Sequence, residues 1–104
     1  MSEKALLVHR SKEILSSGLL RELVIWRFKK SAAYPLGIKY RMALIDPVRK
    51  KVIILYDNHS PKGPHWHDNT GQEFAYSFVS LDKLMSDFLE IVRKQEFISE
   101  DNEN

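Results

Sequence analysis

Cysteine is absent from all 104 residues. Disulfides and thiolate metal sites are therefore excluded, and the composition suits a reducing cytoplasm. Long hydrophobic runs are missing too. The strongest apolar stretch, Val52–Tyr56, is far too short to span a bilayer. Met1-Ser-Glu-Lys4 carries an acid with no long apolar run behind it, so no signal peptide is expected. No internal repeat is visible. Glycine and proline number only four each, so the places where they gather are informative. What remains is ordinary for one small globular domain: 43% hydrophobic and 29% charged residues.

The net charge of +2 conceals an uneven distribution. Residues 1–64 hold 13 Lys/Arg against 5 Asp/Glu, whereas residues 65–104 hold 3 against 9. The basic part suits an anionic partner; the plain alternative is that the two parts neutralise each other in the fold.

Along the chain, Ala5–Val8, continued by His9 and Arg10, predicts a first strand, and Ser16–Gly18 a turn. Leu19–Phe28 predicts a second strand. Its even positions, Leu20, Glu22, Val24, Trp26 and Phe28, are the expected core face because they hold the aromatics and no Lys or Arg. Residues 29–37 read as a loop punctuated by Pro35 and Gly37. Ile38–Ile45 alternates cleanly, with Ile38, Tyr40, Met42 and Leu44 on one side. Asp46–Lys50 is a turn, and Lys51–Tyr56 is apolar on both faces, as a central strand should be. A short fifth strand is expected within Gln72–Val79.

The period then changes. Leu81, Leu84, Met85, Phe88, Ile91 and Val92 follow helical spacing, with Ser80 as N-cap and Lys83–Asp87 and Glu90–Lys94 as outer-face pairs. The predicted fold is α+β: an antiparallel four- to five-stranded meander with a C-terminal amphipathic helix packed on one face. Residues 1–98 form the single domain, and 99–104 an acidic disordered tail.

The chemistry is concentrated in Asp57–Asp68. This stretch holds His59, His65 and His67, three of the four histidines, together with Pro61, Lys62, Gly63, Pro64 and Trp66. It reads as a loop after a rigid strand, a common location for function. If it is extended, His65 and His67 share one side and Trp66 takes the other. Paired imidazoles serve as acid and base near neutral pH, Lys62 and Arg41 stabilise phosphate charge, and Gly63 admits a ligand close to the backbone. Lys39 and Arg27 add phosphate contacts, and Trp66 offers a stacking surface. That set fits metal-independent cleavage of RNA.

Plainer readings stand beside it. The histidines are surface loop residues, Trp66 plugs a core edge, Asp57 only braces a turn, and His9 is structural. A divalent ion held by His59, His65, His67, Asp57 or Asp68 is a further alternative. No fixed ligand spacing is present, so no metal or cofactor is predicted. A basic strand face used for binding without catalysis is the different-class alternative.

Val24-Ile-Trp26, Lys39-Tyr-Arg41, Tyr56-Asp-Asn58, Lys62-Gly-x-His-x-His67, Tyr76-Ser-Phe-Val-Ser80 and Asp87-Phe88 occur in an order and spacing that resembles the TumE-type toxins of bacterial toxin–antitoxin systems. The resemblance spans most of the chain. It implies a small cytoplasmic toxin, neutralised by a helix-turn-helix antitoxin, with RNA as the target the residues suggest. Separately, the exposed edges of a small meander suit a homodimer. Loops of that family often read Lys-Gly-His-His-Arg-His. This chain departs from that pattern, with Pro64 in place of a histidine and Trp66 in place of an arginine.

Overall fold

The computed structural model describes the backbone of residues 5–101 and the side chains through residue 97. Among the described residues there are six strands and one helix: β1 (Leu6–Ile14), β2 (Leu20–Arg27), β3 (Ile38–Asp46), β4 (Lys51–Asp57), β5 (His65–His67), β6 (Glu73–Ala75) and α1 (Leu81–Asp101). The strands make one sheet in chain order, and each neighbouring pair is antiparallel. The expected α+β meander with a C-terminal helix is therefore present, with six strands in place of four or five. No described helix is long and apolar enough to cross a membrane.

Short connections with their own hydrogen bonds enforce this order. At the first turn Gly18 N–H donates to Leu15 O at 2.9 Å. At the third, the Asp46 carboxylate accepts the Val48 and Arg49 N–H groups, each at 3.0 Å. Between β5 and β6, Asp68 Oδ1 accepts Thr70 N–H at 2.9 Å and Gln72 N–H at 3.1 Å, an Asx turn that needs the small polar side chain.

One sheet face carries the core. Ile38, Tyr40, Met42 and Leu44 of β3 are buried, as their alternation predicts, together with Ile54 and Tyr56 of β4. Against them lie Leu84, Phe88 and Val92 of α1. The Ser80 Oγ accepts Lys83 N–H at 3.1 Å, so the predicted N-cap forms. Ser80→Ala should cost about 1 kcal/mol, or about 4–8 °C in Tm for a domain of this size, read from a thermal melt. An unchanged Tm would mean that water replaces the cap without loss.

Several expectations are corrected. The core face of β2 is Leu23 and Ile25, each 3% exposed, and not the face with Val24, Trp26 and Phe28. Register decides this: Leu23 pairs with Met42 and Ile25 with Tyr40, the side the helix covers. Trp26 instead is half-buried on the opposite face, with the Arg10 guanidinium 5.8 Å from its ring centre. β1 runs on through polar Ser11–Glu13 to Ile14, because pairing with β2 supplies its backbone partners. His65–His67, read as loop, is a strand; the fifth strand expected within Gln72–Val79 is β6, limited to Glu73–Ala75. Glu90 pairs with Arg93 at 2.7 Å, not with Lys94. The acidic tail expected over 99–104 begins within the span of α1, and its residues 102–104 lie outside the described residues.

Candidate active site on the uncovered sheet face

In an antiparallel sheet, residues directly opposite each other share a face. The register therefore aligns Arg10, Val24, Arg41, Asp57, His65 and Ala75 in one row across all six strands. The next row is Lys12, Glu22, Ala43, Leu55, His67 and Glu73. Both rows lie on the side away from α1. The core side of the same strands carries Tyr56, Trp66 and Phe74 in a stacked series, with ring centres 5.4 and 4.6 Å apart. The short sequence His65-Trp66-His67 is thus divided by the pleat: imidazoles to the open face, indole to the core.

The connection from Asp57 to His65 is shaped by its own side chains. Asn58 is buried and replaces a strand partner: its Oδ1 accepts Tyr40 N–H and its Nδ2 donates to Ile38 O, both at 2.9 Å. Ser60 N–H donates to Tyr34 Oη at 3.2 Å, tying this connection to the 28–37 loop. Gly63 has φ +73°, a conformation that strains any side chain, and its carbonyl accepts His65 Nδ1–H at 2.8 Å. A carbonyl can only accept, so this contact assigns the ring proton to Nδ1.

Three imidazoles follow one another, with ring centres 5.2 Å apart for His59–His65 and 5.1 Å for His65–His67. Two carboxylates serve them. Asp57 Oδ1 lies 2.7 Å from His59 Nδ1 and 3.2 Å from His65 Nε2. The second approach is close enough for a charge contact but off-angle for a hydrogen bond, leaving His65 Nε2 buried without one. Glu73 Oε1 lies 3.4 Å from His67 Nε2 and accepts from Lys62 Nζ at 2.5 Å. The Lys62 hydrogen bond, chiefly, holds the Glu73 carboxyl below its usual range, aided by the charges of Lys62, His65 and His67. The carboxylate is thus ionised near neutrality. Burial, first, raises the Tyr40, Tyr56 and Tyr76 hydroxyls, Tyr56 to about 12, so none of these phenols serves as a base near neutral pH.

The residues singled out from the sequence divide as follows. His65, His67 and Arg41 share the open face, and Lys39 stands on it beside Trp26. Arg41 and Lys39 are exposed and have no ion-pair partner among the described residues. His65 is only 3% exposed, so it is the least accessible of the three imidazoles. Lys62 is engaged by Glu73. Arg27 pairs with Ile38 and so occupies the core side at a strand end, away from the imidazoles. Trp66 lies between Tyr56 and Phe74, which leaves neither ring face for a base. Asp68 is absorbed in its turn, and His9 contacts Ser11 Oγ at 3.1 Å on β1.

The sequence profile of one family, described as Toxin TumE, matches residues 4–96. The chain belongs to the TumE toxin family. Membership supports the coarse reading, the toxin component of a toxin–antitoxin system, and implies an antitoxin partner. No curated protein and no solved structure matches the chain. The departure at Trp66 subtracts nothing from the imidazole side, because position 66 faces the core.

Sequence reasoning did not single out Glu73 or Asn58 as parts of the site. Glu73 is six residues beyond His67 in a segment read only as a strand, and it arrives through the β5–β6 pairing. Asn58 carried a signal of a kind, a buried-type amide directly after an apolar strand. Its partners on β3 are 18 and 20 residues away.

Proposed function

We propose that this toxin acts on RNA, holding the phosphate backbone on the uncovered sheet face and cleaving it by acid–base chemistry without a metal. The observation that carries this reading is the shared row of Arg41, Asp57 and His65, flanked by His59 and His67. Exposed Arg10, Lys12 and Lys39 extend the same face and supply a path for a polyanion.

His59 and His67 are the substrate-facing pair, because their side chains are 48% and 29% exposed against 4% for His65. Asp57 orients the half-exposed His59 through Nδ1. One of these imidazoles takes the proton from the 2′-hydroxyl. The 2′-oxygen then bonds to phosphorus, the bond from phosphorus to the 5′-oxygen breaks, and the other imidazole protonates that oxygen. Arg41 stabilises the charge that builds on the phosphoryl oxygens. His65 is a positioning residue, fixed by the Gly63 carbonyl between its two neighbours.

The test is growth of a bacterial host expressing the chain against a His59→Ala/His67→Ala double variant at matched soluble levels. It is accompanied by cleavage of RNA by the purified proteins in chelator. The double variant should relieve the arrest and cleave slower by about 10²–10⁴-fold for the first imidazole lost, while still binding RNA. Equal arrest by both proteins would overturn the proposal. It would favour a non-catalytic basic face, which weakens stepwise as Arg41, Lys39 and Arg10 are removed and depends steeply on salt.

A further inference from the structure

We infer that Asp57, His59 and His65 form a binding site for one divalent transition-metal ion of the zinc class. Their donor atoms all lie within 4.8 Å of one another, although the sequence offers no recognised ligand spacing. Tertiary pairing creates the cluster: Asp57 ends β4, His65 begins β5, and the register places them opposite each other.

The state of His65 carries the inference. Its Nε2 is buried and lacks a hydrogen bond, which is costly unless a ligand takes that lone pair. Its Nδ1–H is committed to the Gly63 carbonyl at 2.8 Å. Metal-bound imidazoles are oriented in just this way, one nitrogen on the ion and the other donating to a carbonyl or carboxylate. With the ring proton on Nδ1, His65 Nε2 has no hydrogen-bond partner, and an anionic oxygen stands 3.2 Å from it. A cation between them turns that unpaired contact into two bonds.

One separation already suits a tetrahedral ion. Zinc bonds to nitrogen and oxygen imply ligand atoms about 3.3 Å apart. His65 Nε2 and Asp57 Oδ1 already stand at 3.2 Å. His59 Nδ1, hydrogen-bonded to the same oxygen at 2.7 Å, must give up that bond and move outward by about 0.6 Å to reach that ligand separation, and its 48% exposed side chain leaves room for the shift. Two imidazoles and one carboxylate favour zinc-like ions over magnesium or calcium. Three protein ligands leave a fourth position for water or an anion.

The neighbouring group of His65, His67 and Glu73 is the weaker candidate. Glu73 is already bonded to Lys62 Nζ, whose charge opposes a nearby cation. Metal binding does not depend on the RNA reading. The two connect at one point: an ion on His59 and His65 removes an imidazole from acid–base work.

The experiment is calorimetric titration of the full chain, stripped with chelator, with zinc chloride, alongside melting curves at increasing zinc. One ion per chain and a Tm that climbs with zinc concentration are expected. His59→Ala, at an exposed position, should weaken binding at least about tenfold, whereas His67→Ala should leave it within about twofold. Absence of binding would overturn the inference. So would His67→Ala weakening it as much as His59→Ala, or several ions binding with no response to His59→Ala. Because the readout is ion binding, its failure is distinct from a failure to cleave RNA.

Discussion

Phe88→Ala should lower the melting temperature on the order of 20 °C and leave much of the chain unfolded at growth temperature. Phe88 is 0% exposed and packs edge-on against Tyr56, ring centres 5.8 Å apart. It shares the core with Tyr40, Met42, Leu44, Ile54 and Leu84. Removing a buried phenylalanine side chain costs about 3–5 kcal/mol, transfer and cavity together. Whole-domain stability is only about 5–15 kcal/mol, and each kcal/mol moves Tm by about 4–8 °C at this size. The comparison is Phe97→Ala, on the same helix but 66% exposed, where a change within about 0.5 kcal/mol is expected. A melt in which the two variants fall equally would mean that α1 does not dock through Leu84, Phe88 and Val92.

Asn58→Ala should cost about 2–6 kcal/mol, although it removes no apolar surface. The Asn58 amide satisfies two buried backbone groups at once, Tyr40 N–H and Ile38 O. β4 ends at Asp57, so no strand partner stands opposite those groups. Alanine leaves both unpaired, and an orphaned buried donor or acceptor costs about 1–3 kcal/mol each. Asn58→Asp keeps the acceptor for Tyr40 but sets a carboxylate oxygen against the Ile38 carbonyl, so it should be no better than alanine. Asn58 also fixes where the chain leaves β4, and Asp57 and His59 are its immediate neighbours. The loss of stability should therefore be accompanied by loss of the growth arrest even where folded protein remains. Denaturant unfolding separates the outcomes. An Asn58→Ala midpoint equal to that of the natural chain would show that water replaces the amide.

Both effects rest on features that one dimension conveys unevenly. Phe88 was legible because helical spacing alone sorts Leu84, Phe88 and Val92 from their polar neighbours. The alternation of Ile38, Tyr40, Met42 and Leu44 likewise marked the buried side of β3. In β2 the same reasoning chose the wrong face. Both of its faces carry apolar side chains, and the decision belonged to the helix, which covers Leu23 and Ile25 through their pairing with Met42 and Tyr40. Aromatic content misled because Trp26 finds cover from Arg10 on the open side.

The site was half legible. His65 and His67 were placed on one side and Trp66 on the other by the period of an extended chain, and the strand they form honours that. Lys62 was read as a phosphate ligand, yet its ammonium is occupied by Glu73, which enters only when β6 pairs with β5. Arg27 and Arg41 looked equivalent along the chain; the register puts them on opposite sides of the sheet.

By itself, then, the sequence determined the α+β class, the strand-to-helix order, the helical core stripe and the concentration of imidazoles in Asp57–Asp68. These follow from local period and composition, which act over a few residues. Only the tertiary structure decided which imidazoles meet solvent, which carboxylates serve them, and that His65 stands buried with an unpaired nitrogen beside Asp57. Those are properties of strand register and of which face the helix covers, and both are contacts between residues far apart in the chain.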